Sequence, residues 1–527
     1  MFRHSGRGTG RTLYVWTSAC AGIDKYVAQH YNGNSVEYYN LNFFYWRYPM
    51  NRTLWGRIVC LGVALLFFAI PSLLHGADQT WSIGYAERNL VPKDIGTKTY
   101  YMAGYSNNKP IKGVHDPIWV RCISLDAGAG QKIVLASLDV VGFPYSRVLS
   151  VRQRLEDWSK ENNVTVQVFS THSHASIDTM GMWGPLGKSG CDKTWMESLE
   201  NSIIEAAMEA LAHAVPGQLS FGQIMAPGMV VDKSPPQVPN EQISVFRFQP
   251  ENENIKPVWL MHFSCHPEAL EDVNTFLSSD FVHAARETIE KTENCHALYI
   301  NGAVGSMQTV PELRDENGVK TVAYEAIYKF GRELGEIALK INNWQNVAPF
   351  LSLRTEAVTV PIYNPLFILF QTMKVIDARP VGGEYSCDPK LLEIAQKSPD
   401  NPHLPTTSVE VAYMKIGKDI GIVYVPGELA PELANGAYLP PERCNNPGLT
   451  PEKPLFEIMP DKIKLVFGLA NDEIGYILPR NDYFISPTQP WIDRGVDRFG
   501  YRHYPETNST GPDIANIVSE ALERLVK

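Results

Sequence analysis

From Gln79 onward, short apolar runs alternate with stretches of helical period, and that alternation limits the fold more than any other feature of this 527-residue chain. "KIVLASLDVVGF" reads as an apolar strand, and "SRVLSVRQRLEDWSKE" after it has helical spacing. "VTVQVFSTHSH" is a strand, followed by the periodic helix "WMESLENSIIEAAMEALAHA". "PVWLMHFSCHPEAL" and "CHALYINGAVGS" are strands that run into turns, each with a helix beyond, "FVHAARETIEKT" and "VAYEAIYKFGRELGEIALKI". "VEVAYMKIGKDIGIVYVPGE" predicts a two-stranded hairpin, "IKLVFGLANDEIGYILP" a further strand and turn, and "PDIANIVSEALERLV" a closing helix. Strands interleaved with helices predict an α/β fold: a mixed central β-sheet flanked by helices, in a single large domain over residues 78–527.

The first 77 residues read differently. Residues 1–49 are rich in Tyr, Asn, Gly and Arg without a clear period, and are expected to be an irregular extension, either upstream of a true start at Met50 or a tail. Met50 opens "MNRTLWGRIVCLGVALLFFAIPSLLHGADQT", with Arg52 and Arg57, an apolar run and a small-residue exit near Gly76 and Ala77. That layout predicts a signal peptide over residues 50–77, or an anchor held by residues 58–74, and hence an exported protein, extracellular or periplasmic. The eight cysteines include no CxxC pair, which removes a zinc-ribbon reading. The net charge of −10 and the lack of a long basic stretch exclude nucleic acid as a partner.

Sites in open α/β sheets form beyond the carboxyl ends of strands. Here those ends carry Asp139, the pair His172 and His174, His266, Ser306, Glu428 and Tyr476. Two histidine-bearing strand ends, together with "VYVPGE" and "NDEIGY", suit a zinc ion, which accepts imidazole nitrogen and carboxylate oxygen and keeps a position open for water. His172 and His174, two residues apart where a strand turns into a loop, are expected to divide the work. One binds metal, and the other contacts substrate or moves a proton. Asp139 is read either as a pocket residue or as a carboxylate that holds a loop. Ser278, Ser279 and Asp280 read as a cap for the helix that begins near Phe281. The apolar segment "PIYNPLFILFQTMKVIDARP" reads either as a buried strand or helix of the core or as an apolar lid or membrane-facing loop beside a lipid site.

"STHSHASIDTMGMWGP" resembles the "THTHSGPGG" segment of the neutral, non-lysosomal ceramidases. "MHFSCHPEAL" resembles that family's second histidine strand, "VPGE" its "PGE" turn, and "NDEIGYILP" its tyrosine-bearing metal segment. "GVHDPIWVRCISL" is similar to its early "GIHQRL" stretch, and the motifs occur in the family's order over most of residues 80–520. The resemblance implies one catalytic Zn²⁺ held by His172, His266, Glu428 and Tyr476, with His174 handling a proton. It places His115 near the substrate and implies zinc-activated hydrolysis of an N-acyl amide in a ceramide-like lipid. Contact with a membrane surface would accompany such a substrate.

The sequence also departs from that pattern. The family's turn bearing a proposed catalytic serine corresponds here to "NGAVGSMQTV", where Ser306 falls on the acidic or amide position and Gln308 on the serine. "ASID" replaces "GPGG", and the chain reaches Lys527 without the family's further β-sandwich domain. A metal-dependent esterase or phosphoesterase, or an inactive lipid-binding relative, are the alternative readings.

Overall fold

The computed structural model describes residues 80–309, 317, 322–376, 405–485 and 495–527, and the backbone of 12–15, 26–32, 35–41 and 380–382. The chain divides into two compact units, Met1–Asp78 and Gln79–Lys527. In the first, strands Thr12–Val15, Tyr26–Asn32 and Ser35–Leu41 pair antiparallel, where the sequence suggested irregular chain. The overlooked signal is in the sequence alone: Gly-Asn at 33–34, a pair that reads as a turn, between two runs that each contain tyrosine and valine. The signal or anchor segment, residues 50–77, lies outside the described residues. Among those described, no helix is long and apolar enough to cross a membrane.

The second unit is built on a nine-stranded mixed sheet. Its main strands are β1 (Trp81–Asn89), β2 (Trp119–Asp126), β3 (Lys132–Leu138), β4 (Val164–Ser170), β5 (Val215–Met225), β6 (Gln242–Pro250), β7 (Val258–Phe263) and β8 (His296–Asn301). They lie in the order β8-β7-β6-β5-β1-β2-β3-β4, with Gln345–Asn346 pairing β5. Only β3–β4 and β7–β8 are parallel pairs among these neighbours, and those pairs deliver the histidine-bearing ends.

One face of the sheet is covered by helices. α1 (Tyr145–Arg154) and α2 (Lys193–Ala212) pack over β1–β4, and α3 (Phe281–Glu293) and α4 (Tyr324–Leu339) over β6–β8. Asp192 starts α2 by accepting the Trp195 N–H at 2.9 Å, and the helix buries Leu199, Ile203, Ala206 and Ala210 at helical spacing.

The other face reaches its flanking helix through one further layer. It packs on a second, five-stranded sheet: β9 (Leu351–Pro361), β10 (Thr406–Ile416), β11 (Ile420–Tyr424) and β12 (Ile463–Phe467) in that order, with Pro380–Gly382 beside β10. The "VEVAYMKIGKDIGIVYVPGE" hairpin forms β10–β11. Met414, Ile416, Ile422, Leu465 and Phe467 meet Ile123, Leu135, Phe246 and Leu298 of the first sheet in one core. The outer face of the second sheet is closed by the C-terminal helix α6 (Ile514–Leu525). The result is an α/β fold of four layers, helix, sheet, sheet and helix. β3 is buried on both faces, which is why "IVLASL" reads as a continuous apolar run rather than an alternating one.

The two sheets are tied where β4 ends. Phe169 bridges Ala470, the Ser170 N–H donates to the Leu469 carbonyl, and the Asn471 side chain accepts the Val168 N–H at 2.9 Å. The loops after β4, β7 and β12 therefore open on one common region.

Candidate metal centre

His172 lies two residues past the end of β4 and still pairs with the segment after β3, its N–H donating to the Val140 carbonyl at 3.0 Å. Its φ of 70° is left-handed, which is uncommon for a residue with a side chain and marks a position the surroundings impose. This twist ends the strand and lets the next residues cross toward the β7 loop, where the His174 N–H donates to the Pro267 carbonyl at 3.0 Å.

His266 follows β7 in the same way. Its N–H and its Nδ1 both meet the Met307 carbonyl, at 2.8 and 2.9 Å. His172 Nδ1 stands 2.6 Å from the Val141 carbonyl. A carbonyl only accepts, so in both rings Nδ1 carries the proton and Nε2 is left with a lone pair or a second proton.

Those two Nε2 atoms converge on Glu428. His266 Nε2 is 2.8 Å from Glu428 Oε2, and His172 Nε2 is 3.5 Å from the same oxygen. His174 Nε2 lies 3.1 Å from His172 Nε2. One ring nitrogen from each of the three histidines falls within 4.8 Å of the others. The His172 ring makes edge contacts to both, at centroid distances of 4.7 and 4.8 Å. Two buried Nε2 atoms aimed at one carboxylate are mutually repulsive unless a cation, a proton or a metal ion, sits among them. Burial works against charge on His266, but its bond to Glu428 prevails and carries the imidazole up to about 9. Burial also opposes the Glu428 charge, and the two histidines override it, holding the carboxyl well below its usual range.

Tyr476 joins this group through the backbone. Glu428 and Tyr476 are register partners in a two-residue parallel pairing, Glu428–Leu429 with Tyr476–Ile477. The Glu428 N–H donates to the Gly475 carbonyl, and the Tyr476 N–H to the Asn508 carbonyl. Burial, and next the Glu428 charge, push the Tyr476 phenol well above its usual value.

His174 differs from the other two histidines. Its Nδ1 is buried without a hydrogen-bond partner, so no carbonyl fixes its tautomer. Burial and the neighbouring imidazoles hold its pKa well below the ordinary value. Tyr105 meets the ring edge-on at 5.1 Å, and Gly104 lies against it. A Cβ at Gly104 would come within 2.5 Å of the His174 ring, so glycine is required for this approach.

The group opens into a cleft of about 880 Å³, counting the space open to solvent at its mouth. His172, His174, Glu428 and Tyr476 form its polar end, and Met180, Met182, Trp183, Ile362, Phe367 and Ile376 supply much of its apolar wall. The wall depends on two segments that departed from expectation or were left open. Asp178, the acid of "ASID", accepts the N–H groups of Met180, Gly181 and Trp183 and shapes that loop, while burial pushes its carboxyl up to about 6. The apolar segment forms α5 (Pro365–Thr372), started by Asn364, which accepts the Leu366 N–H at 2.9 Å. It is both core and cleft wall, since Ile362, Phe367 and Ile368 pack together against Met182.

Three residues expected at the site lie elsewhere. Ser306 lines a different cavity, beside Glu432 and His503, and its hydroxyl donates to Asp232 at 2.5 Å. The Gly305 turn carries it away, and the same turn contributes the Met307 carbonyl to His266. Asp139 is fully buried, and both its oxygens are engaged by Arg286, Ser279 and the Trp119 N–H, so it ties a strand end to α3 and does not line the cleft. His115 stacks on Tyr324 at 3.5 Å and meets Tyr328 at 2.7 Å, in a cluster around Asp116 outside the cleft. Asp280 does cap α3, accepting the Phe281 N–H at 2.6 Å.

Asn301, at the end of β8, was missed. Its Nδ2 donates to the Thr171 and Cys265 carbonyls, both at 3.0 Å, and its Oδ1 accepts the Cys265 N–H at 3.0 Å. It thus clasps the residues that precede His172 and His266. Its signal was a polar side chain where an apolar strand ends, the same signal that singled out the histidines.

No protein-family model matches the chain. No curated protein matches it either. Among solved structures, a ceramidase complexed with C2 matches with a TM-score of 0.61 and 16% identity, over 85% of this chain and 75% of that one. The crystal structure of neutral ceramidase from Pseudomonas aeruginosa matches with a TM-score of 0.62 and 16% identity, over 85% of this chain and 74% of that one. At that identity the likeness speaks for architecture: this chain has the fold of the neutral ceramidases.

Proposed function

We propose that the protein is a zinc-dependent hydrolase of N-acyl amide bonds in a ceramide-like lipid. The observation that carries this reading is the pair of histidines whose Nδ1–H groups are held by the Val141 and Met307 carbonyls, leaving both Nε2 atoms turned toward the Glu428 carboxylate at the base of an apolar cleft. Zinc-binding histidines are oriented in this way by hydrogen bonds at the other ring nitrogen. In this reading His172, His266, Glu428 and Tyr476 hold one Zn²⁺. When bound, zinc supplies Lewis acidity, polarising an amide carbonyl and lowering the pKa of water to about 7.

The remaining steps belong to side chains of this chain. His174 lacks the carbonyl anchor of its neighbours and lines the cleft, so it is the imidazole free to exchange a proton. An amine anion does not leave unaided: the neutral His174 takes up the proton that the attacking water gives up and passes it to the departing amine nitrogen. Met180, Met182, Trp183 and Phe367 hold hydrocarbon chains and exclude water from the reacting amide. Ser306 has no part in this mechanism, because its hydroxyl serves Asp232. The TM-scores of 0.62 and 0.61 to ceramidase structures support the same substrate class.

The test is a hydrolysis screen of N-acyl sphingosines against short N-acyl amines and esters, before and after chelation, with the metal content measured. The expected result is stoichiometric zinc, preference for the long-chain amides, and activity lost to chelator and restored by zinc. A protein without stoichiometric zinc, or one that cleaves only esters, overturns the proposal.

A further inference from the structure

Three side chains that line the cleft each have a buried polar atom without a hydrogen-bond partner in the protein: Gln371 Oε1, Thr407 Oγ1 and Thr510 Oγ1. The residues are only 8%, 3% and 3% exposed. They belong to three elements that meet along one seam. Gln371 stands one turn past Phe367, on the face of α5 that lines the cleft. Thr407 lies in β10 opposite Val360. The chain running from β9 into α5 passes between the two threonines. Its Ile362 N–H donates to the Pro405 carbonyl at 2.8 Å, and its Tyr363 N–H to the Thr510 carbonyl at 2.7 Å.

Packing alone does not ask for polar groups here. Thr407 alternates with Val409 and Val411 on one face of β10, and both valines and the facing Val360 are core residues. A valine at 407 would continue that pattern. A buried hydroxyl or amide left unpaired destabilises a fold, so three of them in one cleft point to bonds made with a ligand.

The chemistry of these groups limits the ligand. All three are uncharged, and each offers a lone pair; the two hydroxyls and the amide NH₂ also donate. A group that both donates and accepts fits, and three bonding atoms on three elements suit more than one hydroxyl. No lysine or arginine lines the cleft among the described residues, whereas Glu428 and Glu473 do, so an anionic headgroup finds no counter-charge. Trp183 and Tyr504 offer aromatic faces in the same cleft, the Tyr504 ring 6.2 Å from that of Tyr476. Such faces pack on the C–H side of a sugar or polyol. Thr510 is two residues from Asn508, whose carbonyl accepts the Tyr476 N–H. At most about 7 Å of chain therefore separates this polar seam from the residues at the metal centre.

We infer that Gln371, Thr407 and Thr510 form a subsite for a neutral polyhydroxyl group, a sugar or a linear polyol, carried by the substrate close to the bond that is cleaved. This deepens the hydrolase reading and rests on it for the cleaved bond.

The experiment measures binding first, by calorimetry on the full chain with zinc bound. The probes share one tail and contain no amide: octyl glucoside below its micelle concentration, octane-1,2-diol, octyl methyl ether and octyl phosphate. The glucoside or the diol is expected to bind at least about tenfold more tightly than the ether and the phosphate, and which of the two leads separates a sugar from a linear polyol. Q371L, T407V and T510V are each expected to shrink that preference several-fold, while T407S keeps it. T407V is expected to melt no lower than the parent, because the hydroxyl it removes has no partner in the protein. Equal binding of diol, glucoside and ether overturns the inference. So does octyl phosphate that binds as well as the diol, or a preference that survives Q371L and T407V, which would place the hydroxyls on the metal instead. A second measurement compares kcat/KM for an N-acyl aminodiol with that for the N-acyl alkylamine of equal length, and the ratio is expected to exceed about ten and to fall in T407V. Binding preference without amide cleavage removes the hydrolase reading and leaves the subsite. Amide cleavage without any hydroxyl preference removes the subsite and leaves the hydrolase.

Discussion

Glu428 and Tyr476 are register partners across a two-residue parallel pairing, so a shift of either strand by one residue would turn one of the two side chains out of the cleft. This pairing joins the "VPGE" turn to the "NDEIGY" turn and brings both to the histidines. It makes the group at the cleft base rigid by backbone rather than by side-chain packing alone.

The first prediction separates the histidines. H172A and E428A are each expected to lose zinc and hydrolysis together. H174A should keep most of its zinc and lose about 10²–10⁴ in turnover, the usual contribution of a positioned proton donor. Metal analysis alongside kcat decides it, and a zinc-free H174A with a zinc-loaded H172A would reverse the two roles.

Gly104 offers a change that touches His174 without removing it. The added methyl of G104A would meet the imidazole at 2.5 Å, on a backbone with φ of 100°. The strain is expected to cost about 1–3 kcal/mol of stability. Displacement of the ring should lower kcat while zinc is retained. Urea unfolding and metal content, measured on the same preparation, check both parts.

Asp139 should behave as a structural residue. D139A leaves Arg286, itself 2% exposed, without its carboxylate. Breaking such a buried pair costs about 3–5 kcal/mol. KM for any substrate of the folded fraction is expected to stay within error. A raised KM at unchanged stability would instead return Asp139 to the substrate.

His503 gives a pH dependence remote from the histidine cluster. Burial opposes its charge, but Glu506 at 2.5 Å and then Asp497 at 3.1 Å prevail, raising the imidazole to about 9. The Glu506 carboxyl is itself pushed up by burial, against the pull of the imidazole. The folded value for His503 exceeds the unfolded one of about 6.5. Its contribution is therefore complete below about pH 6.5 and is lost as the pH rises through about 9. Unfolding free energies from pH 6 to 10 should fall for the parent and fall less steeply in H503Q, the difference between the two opening as the pH drops below about 9.

Much of this was legible because apolar period and polar interruption are local signals. The strands β3, β4, β7 and β8, the helices between them and the β10–β11 hairpin follow from periodicity, and His172, His266, Glu428 and Tyr476 stand out because each interrupts an apolar run. What escaped is non-local. Nothing in the residues between 351 and 467 says that their sheet packs against the first, between it and α6. Ser306 was misplaced because a glycine turn sets direction through backbone angles that spacing does not encode. Asp139 and Asn301 carry the same signal at the same kind of position, a polar residue at a strand end. Only their partners, an arginine for one and two carbonyls for the other, reveal that both are braces.

Asn471 donates to Gln167 across 304 residues of chain, at the seam where the second sheet joins the end of β4. Joining segments so far apart carries a loop-closure cost that must be met before any contact between them rewards it. The histidine loops and the Glu428 and Tyr476 turns are joined through this seam, so neither half of the chain holds a complete site alone. Catalytic competence should then arrive late in refolding, after the strand and helix signals have already recovered, and a chain interrupted before Tyr476 should be inert however well its first sheet folds.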